Sequence, residues 1–294
     1  MKINDLKMPS YGGQALIEGV LMRGKKYLAA AFREPDGSIR VVNEELSGIY
    51  KSRLVRLPFL RGLVILWDAL GLGMKYITIS ANIQTGENEK LEGPAIAFTV
   101  LFSFALAIGF FFLLPAGVAA VFQKYSGISP FFTNLFEGLI RLILIILYIW
   151  LVGKNKDIHR VFSYHGAEHK TINAFEAGAN LLPEEVSKFP LYHPRCGTGF
   201  ILILVIFSII LFTIIGPIPN LVIRLISRVV LIPILVMIAY EYMRFASNYI
   251  SHPFLRILSM PGMLLQRLTT NEPSIEILEV SIAAFKTMYE LENR

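Results

Sequence analysis

His165, Glu168 and His169 stand in the order H-x-x-E-H. Four residues of helix turn through about 400°, so the two imidazoles share a face one turn apart and their nitrogens can meet on one divalent metal ion. Glu168 lies about 60° round such a helix from His165, where its carboxylate can act as general base on a metal-activated water. Inverted zinc-peptidase motifs have the same order. The competing reading is an interfacial helix with its histidines at headgroup depth.

A catalytic zinc takes three protein ligands and keeps one position open. The third donor must therefore come from another segment, and His193, Cys196 and Glu241 are the candidates. Cys196 is the only cysteine, so it forms no internal disulfide, and its thiol is free for a metal or for packing as a small apolar group. Inverted motifs take a glutamate from far downstream, which nominates Glu241; otherwise it is a helix-end carboxylate paired with Arg244. Glu176 shares a face with His169 but lies roughly 10 Å along the axis, which suits a partner behind the ligands or a second metal.

Two further groups carry chemistry. Glycines between Gly12 and Gly24 surround Gln14, Glu18 and Arg23, permitting tight turns and close approach of a ligand to Glu18 and Arg23. Their spacing matches neither a phosphate loop nor a dinucleotide fingerprint, and a glycine-rich turn opening a small sheet is the alternative. Glu137 with Arg141, and Arg224 with Arg228, are spaced i,i+4 inside apolar segments. Charges there are costly and mark function by default; the alternative is an interhelical salt bridge with snorkelling arginines.

The elements that position these residues are mainly helical and apolar. Of 294 residues 54% are hydrophobic and the mean hydropathy is +0.56, beyond the usual soluble range. Four apolar runs are long enough to span a bilayer: 95–122, 135–152, 199–215 and 221–240. Pro115 and Pro233 are placed to kink two of them. The polar opening, 1–13, predicts no cleavable signal peptide. Links 123–134 and 216–220 hold only Lys124, whereas the other flanks hold Lys75, Lys90, Lys154, Lys156, Arg160, Arg195, Arg244 and Arg256. Positive charge gathers on the cytoplasmic side, so both termini and the loop 153–198 are expected there, in a multi-pass protein of the cell (plasma) membrane. The net charge of +6, with no long basic run, suits anionic lipid headgroups and not nucleic acid.

Six stretches follow. Residues 1–57 form a small region with strands at 27–32 and 38–42 about the Pro35-Asp36-Gly37 turn. Residues 58–94 hold an amphipathic interfacial helix over 58–80, with Arg61, Asp68 and Lys75 on one face, lying on the bilayer or against the spans. Spans one and two fill 95–152, the loop with the H-x-x-E-H helix (163–177) fills 153–198, and spans three and four fill 199–240. The remainder, 241–294, is helical, with a start signal at Thr270-Asn271-Glu272-Pro273 and an apolar face of Ile275, Leu278, Ile282, Phe285 and Met288.

Four stretches together resemble the YqhQ-like family of bacterial membrane proteins, a domain of unknown function labelled a metal-dependent enzyme. They are Gly12 to Gly24, Tyr164 to Thr171, His193 to Thr198 and Leu268 to Pro273, the last departing from the family's more typical Arg at Asn271. The resemblance covers nearly the whole chain and implies a multi-pass bacterial membrane protein. Two functions are consistent with these residues. One is a metal-dependent hydrolase, with zinc the expected metal, acting on a peptide or lipid headgroup at the cytoplasmic face. The other is a non-catalytic transporter or scaffold that uses the embedded charges. Membrane lipids are expected partners in both, with a protein partner or a second copy in the latter.

Overall fold

The structure is a computed structural model that describes residues 11–46, 57–85, 94–216, 218, 220–250 and 252–294. The polar segment 1–10 and Lys90 fall outside these residues.

Strands Gly12–Leu16 (β1), Gly19–Arg23 (β2), Tyr27–Arg33 (β3) and Ile39–Glu45 (β4) form an antiparallel meander in that order. The hairpin at Pro35-Asp36-Gly37 is the expected one: Gly37 has φ +88° and the Ser38 N–H is held by Asp36 Oδ1 at 2.9 Å. β1 and β2 occupy the glycine-rich stretch, which therefore builds half of the sheet. β2 is buried along Gly19–Met22, so its residues lack the apolar–polar alternation of a half-exposed strand.

Alternation along the strands divides the core. Val20, Met22, Ala29 and Ala31 pack toward helices Lys156–Glu176 (α5) and Ile275–Glu292 (α11), together with Tyr164, Ile172, Leu278, Phe285 and Met288. Leu16, Leu21, Leu28, Ala30 and Phe32 pack on the opposite side with Tyr76 and Leu72 of helix Leu60–Thr85 (α1). The sheet is thus the middle of three layers. Asn155 caps α5 by accepting from Asp157 N–H, which starts that helix seven residues before the expected 163, and Gly178 at φ +73° follows its end. Ser274 caps α11, accepting from Ile277 N–H.

The apolar helices are Pro94–Ile108 (α2), Leu114–Ser126 (α3), Pro130–Val152 (α4), Gly197–Ile215 (α7), Leu221–Val230 (α8) and Ile232–Asn248 (α9). A short helix Pro183–Val186 (α6) precedes α7, and Pro253–Leu265 (α10) follows α9. Among the described residues, four helical stretches are long and apolar enough to cross a membrane: Leu60–Thr85, Phe98–Ser126, Pro130–Val152 and Gly197–Ile215. The expected fourth span, 221–240, is not one straight helix: α8 and α9 meet at 41° beside Pro233, and they make a fifth crossing if the bent pair counts as one. α1 runs five residues beyond the expected 58–80 and has the hydropathy of a span. Its second half nevertheless lies on the sheet, while Trp67 and Leu70 of its first half are exposed.

A π-helical turn, Gly109–Leu113, joins α2 to α3. Pro115 has no N–H to give the carbonyl four residues back, Phe111, and Arg141 Nε of α4 donates to that oxygen instead at 2.9 Å. α4 and α7 run antiparallel, with Gly138 against Ile209 and with Ile145 and Ile149 packed near Leu202 and Val205.

Candidate metal centre

α5 is held on two sides. One side packs on β1 and α11; the other faces the segments that enter α7 and α11. Gly166 makes the second approach possible, because a Cβ there would stand 2.2 Å from the Asn271 carbonyl oxygen and 2.8 Å from Leu191 Cδ2. Asn271 N–H donates to Phe162 O at 3.0 Å, and Lys170 pairs with Glu272 at 2.5 Å. These contacts bring two backbone carbonyls to the two histidines.

His165 Nδ1 lies 2.8 Å from Thr269 O, and His169 Nδ1 lies 2.5 Å from Leu191 O. A carbonyl only accepts, so each Nδ1 carries a proton, which leaves Nε2 as the nitrogen available to a metal. This second contact fixes tautomer and ring orientation in metal-ligating histidines. The two ring centroids are 4.4 Å apart. His165 Nε2 is 3.2 Å from Cys196 Sγ. One ligand atom from each of His165, His169 and Cys196 falls within 4.8 Å of the others. Ligands at ordinary zinc distances on a tetrahedron would place nitrogen and sulfur about 3.5 Å apart. Cys196 is the residue before the first turn of α7, whose free N–H groups favour negative charge, and Thr198 Oγ1 is 2.8 Å from its sulfur. Two imidazoles and a thiol fit zinc or a similar transition metal and not magnesium or calcium.

Glu168 is buried, with the Gly13 N–H as its hydrogen-bond donor. Burial pushes its pKa up to about 7, against the opposing effects of His165 and that N–H. A Cβ on Gly13 would sit 2.8 Å from Glu168 Cγ and 2.6 Å from Leu21 O, so β1 reaches Glu168 only because this residue is glycine. The sequence signal was present, since a glycine inside a strand marks close approach, but its target was not.

The other nominated residues lie elsewhere. His193 is buried beside the site, its ring centroid 5.8 Å from that of His169. Its Nε2 is 3.7 Å from Glu176 Oε2 and 3.4 Å from Arg195 Nη2, so it is outside the three-ligand group. Gln266 fixes the His193 backbone through two bonds of 2.9 Å. Burial lowers the His193 pKa, partly opposed by Glu176. Burial also raises that of Glu176, but His193 and Arg195 outweigh it and hold the carboxyl below its ordinary value. Glu241 does not reach the centre: Arg61 grips its carboxylate and the Phe59 N–H donates to it at 3.0 Å, fastening α1 to α9. Glu18, in the β1–β2 turn with φ +52°, is held by Arg160 and by the Tyr164 hydroxyl at 3.1 Å. Arg23, at the end of β2, lies within electrostatic reach of Tyr240.

The embedded charges form a second group near the opposite ends of α4 and α7. Glu137 Oε1 accepts from Arg141 Nη2 at 3.0 Å and Arg228 Nε at 2.8 Å; Oε2 accepts from Arg224 Nη2 at 3.0 Å and Arg228 Nη2 at 2.9 Å. All four side chains are buried, so neither Arg224 nor Arg228 snorkels.

Comparison with known proteins locates the chain. It is 33% identical to the protein of Bacillus subtilis (strain 168) described as "Uncharacterized protein YqhQ", over 97% of this chain and 93% of that one. No solved structure matches it. Residues 57–291, which include the H-x-x-E-H helix, Cys196 and the Thr269 carbonyl, match the family described as "Protein of unknown function (DUF1385)", and the chain belongs to that family.

Proposed function

We propose that this protein is a metal-dependent membrane hydrolase whose centre works at the cytoplasmic face on a peptide or a lipid headgroup. The observation that carries this reading is the convergence of one ligand atom from each of His165, His169 and Cys196, with both Nδ1 atoms held at backbone carbonyls. In this reading His165, His169 and Cys196 hold a divalent metal, zinc by the chemistry of the donors. When bound, the metal supplies a Lewis acid that polarises a carbonyl or phosphoryl oxygen and acidifies water.

The remaining chemistry belongs to side chains. Glu168 takes a proton from the attacking water and returns it to the leaving group, a role suited to a carboxyl raised to about 7. Gly13 holds that carboxyl in place from β1. Glu176, His193 and Arg195 brace the segment that delivers Cys196.

The test is hydrolysis by zinc-loaded protein against a panel of acylated peptides and phospholipids. Glu168→Gln should keep its metal and lose turnover by roughly 10²–10⁴-fold. Equal turnover in wild type and Glu168→Gln would exclude this carboxyl as the base.

A further inference from the structure

Glu137 is the one acidic residue in 95–152 and in 197–240, yet three arginines are built around it. Guanidinium groups do not give up their protons in proteins, so the cluster carries two positive charges in excess. The side chains are nearly inaccessible, with Arg141 at 0%, Glu137 and Arg228 at 1% and Arg224 at 6% exposure. An excess of buried charge is strongly unfavourable unless something neutralises it.

Neutral groups take up part of the demand. Arg141 donates to Phe111 O and to Ser208 Oγ at 2.6 Å, and its guanidinium lies over Phe112. Arg228 donates to Asn134 Oδ1 at 3.2 Å and lies 3.9 Å from the centroid of Phe212. Asn134 is itself fixed by donating to Phe212 O at 2.8 Å. Arg224 is different. Its Nη1 reaches Gln123 Oε1 only at 3.5 Å, and its buried Nε has no acceptor among the described residues. The four accepting contacts of Glu137 are already filled, so the carboxylate has nothing left to offer that Nε.

We propose that this cluster is an anion site that takes a phosphate group at Arg224, with Arg228 and Arg141 supplying the field and Gln123 at its edge. Phosphate matches in charge a guanidinium whose Nε lacks an acceptor and whose Nη1 has only a long one, and a bilayer presents it as a lipid headgroup while solution presents it as the free ion. The site is separate from the metal centre: Glu137 and the end of α4 at Val152 are about 22 Å apart along the helix, so the inference does not rest on the hydrolase reading.

The experiment uses full-length protein, delipidated in a neutral detergent, and follows thermal unfolding. Inorganic phosphate and phosphatidylglycerol are added separately, with chloride at matched ionic strength as control. Stabilisation of about 3–8 °C by either phosphate source is expected, and Arg224→Gln should abolish it. A rise with phosphatidylglycerol alone assigns the headgroup as source; a rise with inorganic phosphate alone assigns the free ion. No rise with either source in the wild type, an equal rise with chloride, or an undiminished rise in Arg224→Gln overturns the proposal. Should Arg224→Gln fail to fold, phosphorus-31 spectra of the wild type decide it: a signal broadened by the protein is expected, and one unaffected by the protein overturns it.

Discussion

His165 and Cys196 are 31 positions apart in the chain, and their Nε2 and Sγ atoms are 3.2 Å apart in the fold. The proximity is imposed from two sides. Thr269 O turns the His165 ring, and the start of α7 presents the sulfur. Neither contact needs the other, so the pair is a preorganised feature of the scaffold.

Cys196→Ser tests the sulfur. The hydroxyl is a harder and weaker ligand, while both histidines keep their carbonyl partners. Zinc affinity measured by competition with a chelating dye should fall by more than the roughly 10–100-fold cost of losing an outer hydrogen-bond partner. Unchanged affinity would remove Cys196 from the ligand set.

Gly13→Ala tests the contact between β1 and Glu168. The new methyl group would meet Leu21 O at 2.6 Å and Glu168 Cγ at 2.8 Å. Overpacking of this kind costs about 1–3 kcal/mol. Thermal unfolding should record that loss, and turnover should fall further than metal content does. A variant as stable and active as the wild type would show that β1 does not position the carboxyl.

Glu176 gives a pH prediction. Its folded pKa lies below the ordinary value because His193 and Arg195 outweigh its burial. The ionised form is therefore favoured by folding, and this stabilisation is present above about pH 4.3 and disappears as pH falls through the folded value. Melting temperatures at pH 6 and pH 3.5 should differ less for Glu176→Gln than for the wild type. The same difference in both proteins would contradict the assignment.

Glu137→Gln leaves three buried guanidinium groups without their carboxylate. Removing one partner from a buried ionic group costs roughly 3–5 kcal/mol. Unfolding in detergent should show a loss of that size, whereas a loss below about 1 kcal/mol would mean that water or another anion already balances these arginines.

The sequence exposed the site unevenly. Helical spacing made His165 and His169 legible, and the scarcity of cysteine made Cys196 a candidate. It could not rank Cys196 above His193 and Glu241, because that depends on which way each side chain turns. His193 turns to Glu176 and Arg195, and Glu241 is taken by Arg61. The Thr269 and Leu191 contributions are backbone carbonyls, which no residue type announces. Pro233 signalled the break between α8 and α9, whereas the π turn before Pro115 also required Arg141 from another helix. Of the β1–β2 hairpin only a glycine-rich turn opening a small sheet was legible, because a strand buried along its length, as β2 is, does not alternate.

Metal content tests the central claim most directly. Protein purified without added chelator should carry about one zinc per chain by the three-ligand reading, and His165→Ala combined with His169→Ala should reduce this to background while the protein stays folded. Metal near zero in the wild type after zinc loading, or equal metal in wild type and double variant, would contradict the account.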